Sequence, residues 1–199
     1  MNRIGLMGGT FDPIHYGHLL VAEEVRQIFS LDKVIFVPAK IPPHKINKKI
    51  SDPEDRYIMV LLATLDNPFF EVSRLEIDKE GVSYTIDTVR QFKEKLGKDS
   101  QLFFITGVDI ILDLQAWKEP EELLRLCRFI AVTRAGYDLE VLRRKLPKEF
   151  LERIDIVRIP SPPISSTDIR KRVRRGESIK YLVPPLVEEF IKKKGLYLV

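Results

Sequence analysis

An α/β fold with a doubly wound parallel sheet is the class this sequence predicts, on three observations. Six short runs rich in Val, Ile and Phe recur along the 199 residues, most of them continuously apolar, as strands covered on both faces read. Segments of amphipathic helical period lie between them. The alternation is sustained to Ile159 without internal repeat, flexible linker or low-complexity tract. The chain therefore reads as one domain, 1–199, with 1–163 as the sheet-bearing core and 164–199 as a small C-terminal helical lobe.

The strands are RIGLM (Arg3–Met7), KVIFVP (Lys33–Pro38), FFEVS (Phe69–Ser73), QLFFIT (Gln101–Thr106), RFIAVT (Arg128–Thr133) and DIVRI (Asp155–Ile159). The first helix, HLLVAEEVRQIF, sets Val21, Val25, Ile28 and Phe29 on one face. Asp52 caps and Pro53 opens the helix EDRYIMVLLATL. Thr85–Leu96, ended by Gly97, is next, then Pro120–Leu126 and Leu139–Leu146. Ser166–Arg175 and Pro185–Lys194, ended by Gly176 and Gly195, form the final pair. In such sheets ligands bind beyond the carboxyl ends of the strands. Function is thus expected in the loops Gly8–His18, Ala39–Lys49, Arg74–Tyr84, Gly107–Trp117, Arg134–Tyr137 and Pro160–Ser166.

Composition narrows the setting. Hydrophobic residues make up 44% and charged residues 31%, ordinary for a globular protein, and no apolar run approaches the roughly 20 residues that span a bilayer. The opening MNRIGLMGG does not read as a signal peptide, so no membrane partner is expected and the location reads as cytoplasmic. The one cysteine, Cys127 in LLRLCRFIA, excludes a disulfide framework and reads as a small buried hydrophobe. A net charge of +4 suits phosphate-bearing partners, but cations at helix C-termini account for much of it. KRVRR (Lys171–Arg175) reads as a solvated helix face, and no nucleic-acid partner is expected.

Chemistry concentrates in GGTFDPIHYGHLL, Gly8 to Leu20. Two glycines after a strand let the backbone approach a ligand closely, Thr10 adds a hydroxyl, and the following helix start presents free N–H groups, a ready anion site. Neither G-x-G-x-x-G nor G-x-x-x-x-G-K-[ST] is present. His15 and His18 could form half a metal site, but a third ligand is missing. A general base needs a proton to remove, and one phosphate attacking another has none at neutral pH. Donation to phosphate oxygens is the natural task, with a capping and a buried histidine as the plain alternative. Elsewhere, Ser165, Ser166 and Thr167 open a helix, as caps or as a polyphosphate cradle with Arg170 one turn on. Trp117 is either core or a stacking platform, Asp109 a cap or an acceptor for hydroxyls, and His44 a turn residue or a phosphate contact.

GGTFDPIHYGH resembles the H-x-G-H nucleotidyltransferase motif, shared with class I aminoacyl-tRNA synthetases. Further matches are PPHK (Pro42–Lys45), the arginine of DRYIM (Arg56), SYTIDT (Ser83–Thr88), GVD with Trp117 eight residues after Asp109, and ISSTDIR (Ile164–Arg170). With these the chain is similar over nearly its whole length to the bacterial nicotinate mononucleotide adenylyltransferases. The resemblance implies a Rossmann-like fold and transfer of AMP from ATP to nicotinate mononucleotide, with Mg²⁺ and no covalent intermediate.

It implies catalytic roles for His15 and His18. It places Gly8, Gly9, Thr10, Phe11, Ser165, Ser166, Thr167, Arg170 and Arg134 on ATP. It places Lys40, His44, Lys45, Ser83, Tyr84, Thr85, Asp109 and Trp117 on the mononucleotide, with Arg56 as a phosphate contact and no residue on metal. Donors at Tyr84 and Thr85 suit a carboxylate better than a carboxamide. The family usually has Arg-Pro-Gly where this chain has Arg134, Ala135 and Gly136, a departure that bears on Arg134. A homo-oligomer stays open. Phosphopantetheine adenylyltransferase, a rival in the same superfamily, is disfavoured by SYT and by the Asp109 to Trp117 spacing. A non-catalytic nucleotide- or RNA-binding module has only the net positive charge in its favour.

Overall fold

A computed structural model describes residues 2–43, 49–97, 99–133, 140–160 and 162–198. Six strands form one parallel sheet: β1 (Arg3–Gly9), β2 (Lys33–Pro38), β3 (Phe70–Val72), β4 (Gln101–Gly107), β5 (Arg128–Thr133) and β6 (Ile154–Arg158). Their order is β3-β2-β1-β4-β5-β6, with every pairing parallel. The chain winds outward from β1 in one direction and then from β4 in the other. The crevice between those two strands is the switch point at which doubly wound sheets bind ligands.

Side chains along the central strands alternate between two cores. Ile4, Leu6, Leu102 and Phe104 face a cluster completed by α3 (Thr85–Leu96), α4 (Val108–Ile111), α5 (Pro120–Leu126) and α6 (Glu140–Lys145), with Phe150 of α7 (Lys148–Leu151). Met7, Phe36, Phe103 and Ile105 face the other, completed by α1 (Tyr16–Ile28), α2 (Pro53–Thr64), α8 (Ser166–Arg174) and α9 (Pro185–Lys194). Burial on both faces is why the strands read as continuous apolar runs. Because Ile169, Val187 and Ile191 enter the same cluster as Ala22 and Met59, α8 and α9 build no core of their own. The expected lobe is a stretch of chain rather than a separate packing unit.

Most expected elements stand within a residue or two of their places, and the differences have physical causes. β1 runs on to Gly9 because its backbone pairs with β2 as far as Gly9 opposite Pro38, and ladder bonds need no side chain. In α1 the buried stripe centres on Val25 and Ala22, while Ile28, roughly 60° round the helix from Val25, is 53% exposed. The loop after β4 contains α4 and a 3₁₀ turn over Leu114–Ala116. Cys127 is buried, its thiol pushed up to about 12 by burial, which matches the reading of a small hydrophobe.

Candidate active site

Above the carboxyl ends of β1 and β4 lies a cavity of about 970 Å³, the size of a nucleotide-sized site. One end of it is the loop from β1 to α1. Gly8, Gly9, Thr10, Phe11, His15 and His18 all line it. Packing dictates the glycines. A Cβ on Gly9 would lie 2.8 Å from the Phe11 ring, and one on Gly8 3.0 Å from Phe104. Phe11, at φ 49°, turns its ring edge-on to His18 at 5.2 Å and braces it from below.

His15 is the N-cap of α1, and the two imidazoles stack with centroids 3.7 Å apart and planes 23° from parallel. The His15 main-chain N–H donates to Nδ1 of His18 at 3.2 Å. A nitrogen that accepts carries no proton, so His18 keeps its N–H at Nε2, the tautomer that leaves Nε2 as donor. Gly17 completes the arrangement: its Cβ position is 3.0 Å from His15 Nδ1, so a side chain there would push the ring by a few tenths of an ångström.

The loop is fastened from beneath and from far along the chain. Arg56, fully buried, donates from Nε to the Ser51 carbonyl (3.0 Å) and from its terminal nitrogens to Thr10 (2.8 Å), Ala39 (2.6 Å) and Lys40 (3.0 Å). Burial lowers its pKa, with Asp12 opposing that shift. Arg56 is thus a brace between the loops after β1 and β2, not the expected phosphate contact. Asp12, 4% exposed, accepts from the Tyr197 hydroxyl at 2.8 Å, and its carbonyl accepts from Arg170 at 2.6 Å. Ser166 Oγ donates to the Pro13 carbonyl at 2.9 Å. Asp12 and Tyr197 were not singled out by sequence, since their contact spans 185 residues and no local pattern marks it.

At the α8 end, Ser165 and Ser166 line the cavity, with Ser165 Oγ capping α8 by accepting from the Asp168 N–H at 3.1 Å. Thr167 and Arg170 do not line it; helical rotation carries them onto the side facing the β1 loop, where Arg170 also reaches Thr167 Oγ1 at 3.4 Å. At the opposite end stand Ser83, Tyr84, Thr85 and Trp117. Tyr84 caps α3 without offering its side chain to the first-turn N–H groups. Trp117 is edge-on to Phe104 and Phe129, each at 6.1 Å, which holds the indole upright at the wall.

Several expected residues stand elsewhere. Asp109 is exposed on α4 outside the cavity lining; Ile110 beside it and Asp113, one turn on, line the cavity instead. Lys40 also lies off the wall, its Nζ bonded to the Lys79 carbonyl at 2.9 Å. His44, Lys45 and Arg134 fall outside the described residues. Three charged lining residues escaped the sequence reading, Glu76, Asp113 and Lys118. The Glu76 carboxyl accepts from Thr88 Oγ1 at 2.6 Å and is pushed above the usual carboxylate range by burial. Only the adjacency of Lys118 to Trp117 could have signalled it.

The cytidylyltransferase-like family model matches residues 6–172. Two curated bacterial proteins, each named "Probable nicotinate-nucleotide adenylyltransferase", align with 98% of the chain. One, from Thermoanaerobacter sp. (strain X514), is 54% identical with 94% of its own length covered. The other, from Moorella thermoacetica, is 56% identical with 91% covered. The chain belongs to the nicotinate-nucleotide adenylyltransferase family. Among solved structures, Plasmodium falciparum nicotinic acid mononucleotide adenylyltransferase complexed with NaAD shares the fold, with a TM-score of 0.79 at 24% identity, covering 99% of this chain and 98% of that one.

Within this adenylyltransferase fold the glycine between the histidines yields a direct test. Gly17→Ala would ordinarily stabilise a helix by up to about 1 kcal/mol, yet its methyl must displace the His15 ring. The expected result is a kcat roughly tenfold lower, in keeping with sub-ångström misplacement, at an unchanged or raised Tm. Steady-state kinetics beside a thermal melt checks it, and normal kcat would show that the ring position does not matter.

Proposed function

We propose that the chain transfers AMP from ATP to nicotinate mononucleotide, releasing pyrophosphate and forming nicotinate adenine dinucleotide. A mononucleotide phosphate oxygen attacks the α-phosphorus in line; that P–O bond forms as the bond from the α-phosphorus to the α,β-bridging oxygen breaks. The observation that carries the reading is the stacked His15–His18 pair at the N-terminus of α1, beside the Gly8-Gly9 backbone at the sheet's switch point. His18 Nε2–H, the His15 ring and the α1 N-terminus donate where negative charge grows during transfer. Gly8, Gly9, Thr10 and Phe11 shape the ATP side, Ser165 and Ser166 meet the leaving pyrophosphate, and Arg170, with Thr167 beside it, holds the β1 loop in register for both. Trp117 offers its face to the pyridine ring, and the α3 N-terminus at Tyr84 and Thr85 receives the carboxylate, with Ser83 fixing that turn.

Mg²⁺ fits as an ion that enters with ATP. Among the described residues no group of three His, Cys, Asp or Glu side chains could hold a metal, and the carboxylates on the cavity wall are Glu76 and Asp113. ATP oxygens and water would hold the ion, as Mg²⁺ prefers, and its chemistry there is to neutralise polyphosphate charge. We place the reaction in the cytoplasm, in keeping with a buried free thiol at Cys127.

The test is pyrophosphate release with ATP and either nicotinate or nicotinamide mononucleotide. Turnover with a higher kcat/KM for the nicotinate form is expected. Equal values would remove the carboxylate preference, and no turnover with either would remove the assignment.

A further inference from the structure

We propose that Lys118 is a specificity-determining residue that pairs with the carboxylate of the nicotinate ring and so separates it from the neutral carboxamide. The proposal deepens the transfer reading above and rests on it.

Lys118 lines the cavity beside Trp117, and its Nζ lies 4.8 Å from the centroid of the Tyr84 ring and 3.3 Å from Asp87 Oδ1. Tyr84 is the N-cap of α3 and Asp87 sits in its first turn, so the ammonium rests against the positive end of a helix. A cation is disfavoured there unless an anion compensates it. Asp87 is only half such a compensation, because Lys79 holds its other oxygen at 2.7 Å, the shorter of the two contacts. Two ammonium groups thus face one carboxylate. Glu119, next along the chain, is taken by Arg90 at 2.6 Å. Glu76, the nearby buried carboxyl, is hydrogen-bonded by Thr88.

The first turn of α3 therefore presents an ammonium whose carboxylate partner is shared with Lys79, on the wall where the ring's substituent is expected. Lys118 can leave Asp87 without stranding it, since Lys79 remains. Its side chain is 43% exposed, enough to swing, and the same exposure limits the gain to that of a partly screened charge pair. A substrate carboxylate gives that ammonium a partner of its own, whereas a carboxamide brings no charge and presents an NH₂ to further donors.

The experiment compares wild type, Lys118→Met and Lys118→Arg with both mononucleotides, by kcat/KM with ATP and by calorimetric Kd without it. Lys118→Met should lower the nicotinate-to-nicotinamide ratio about threefold to fivefold, the loss falling on the nicotinate form, and Lys118→Arg should keep the ratio within about twofold. An unchanged ratio overturns the proposal. A parallel loss on both ligands also overturns it, because that places the ammonium on the shared phosphate. If the wild type binds the mononucleotides without transferring AMP, the transfer reading falls and the Kd ratios decide this one. If nicotinate mononucleotide does not bind, both fall.

Discussion

His18→Ala is expected to lower kcat by roughly 10²–10³ and to move the KM for ATP by only a few-fold, the signature of a donor whose bond strengthens in the transition state. The ring has two tasks. Its Nδ1 accepts from the His15 main chain at 3.2 Å, which fixes the helix start, and its Nε2–H is the donor that the proposed transfer uses. A second variant separates them. The amide oxygen of His18→Asn can still accept from the main chain while the imidazole donor is gone. Equal losses for Asn and Ala assign the effect to the donor, and recovery with Asn assigns it to the cap. Near-normal kcat in His18→Ala would reduce the residue to a structural part. Both variants should melt close to wild type, since His18 lies at the cavity wall rather than in either core.

Arg56→Met should have the largest effect on stability. The side chain is fully buried and bonds four main-chain carbonyls from two loops. Methionine fills much of the volume but returns no donor, so the carbonyls of Thr10, Ser51, Ala39 and Lys40 lose their partners and Asp12 loses a neighbouring cation. Breaking a buried charged network from one side costs about 3–5 kcal/mol. For a domain of this size that is a fall in Tm of about 6–20 °C, read by calorimetry. Arg56→Lys keeps the charge but not the planar fork, and should recover only part of the loss. A fall under about 2 °C for Arg56→Met would show that the loops hold themselves.

How much could be read in advance differs between fold and site. Continuous apolar runs and helical periods marked β2, β5, α3, α5 and α9 at their observed limits, because burial on both sheet faces leaves a direct imprint on composition. Four-residue α4 and α7 are too short to show any period, so they went unmarked. In the site, residues of contiguous motifs came together on one cavity: Gly8 to Phe11, the two histidines, Ser83 to Thr85, Trp117, Ser165 and Ser166. What escaped were residues whose partners are remote. Arg56 reads from the resemblance as a phosphate contact, and only the meeting of the loops after β1 and β2 makes it a buried brace. The GVD match points to Asp109, whereas Asp113, in the turn after α4 where no motif marks it, is the carboxylate that lines the cavity.

The ties between the β1 loop and the segment from Ser166 to Tyr197 have a consequence for the order of events at the ribosome. The Asp12 carboxylate waits for a hydroxyl 185 positions downstream, and the Pro13 carbonyl for Ser166, 153 positions downstream. At roughly 5–20 residues per second, the growing chain carries the β1 loop for about 10–40 s before its fasteners exist. Through that interval the loop lacks these ties, and a nascent chain acquires a complete cavity only as α8, α9 and Tyr197 emerge and dock.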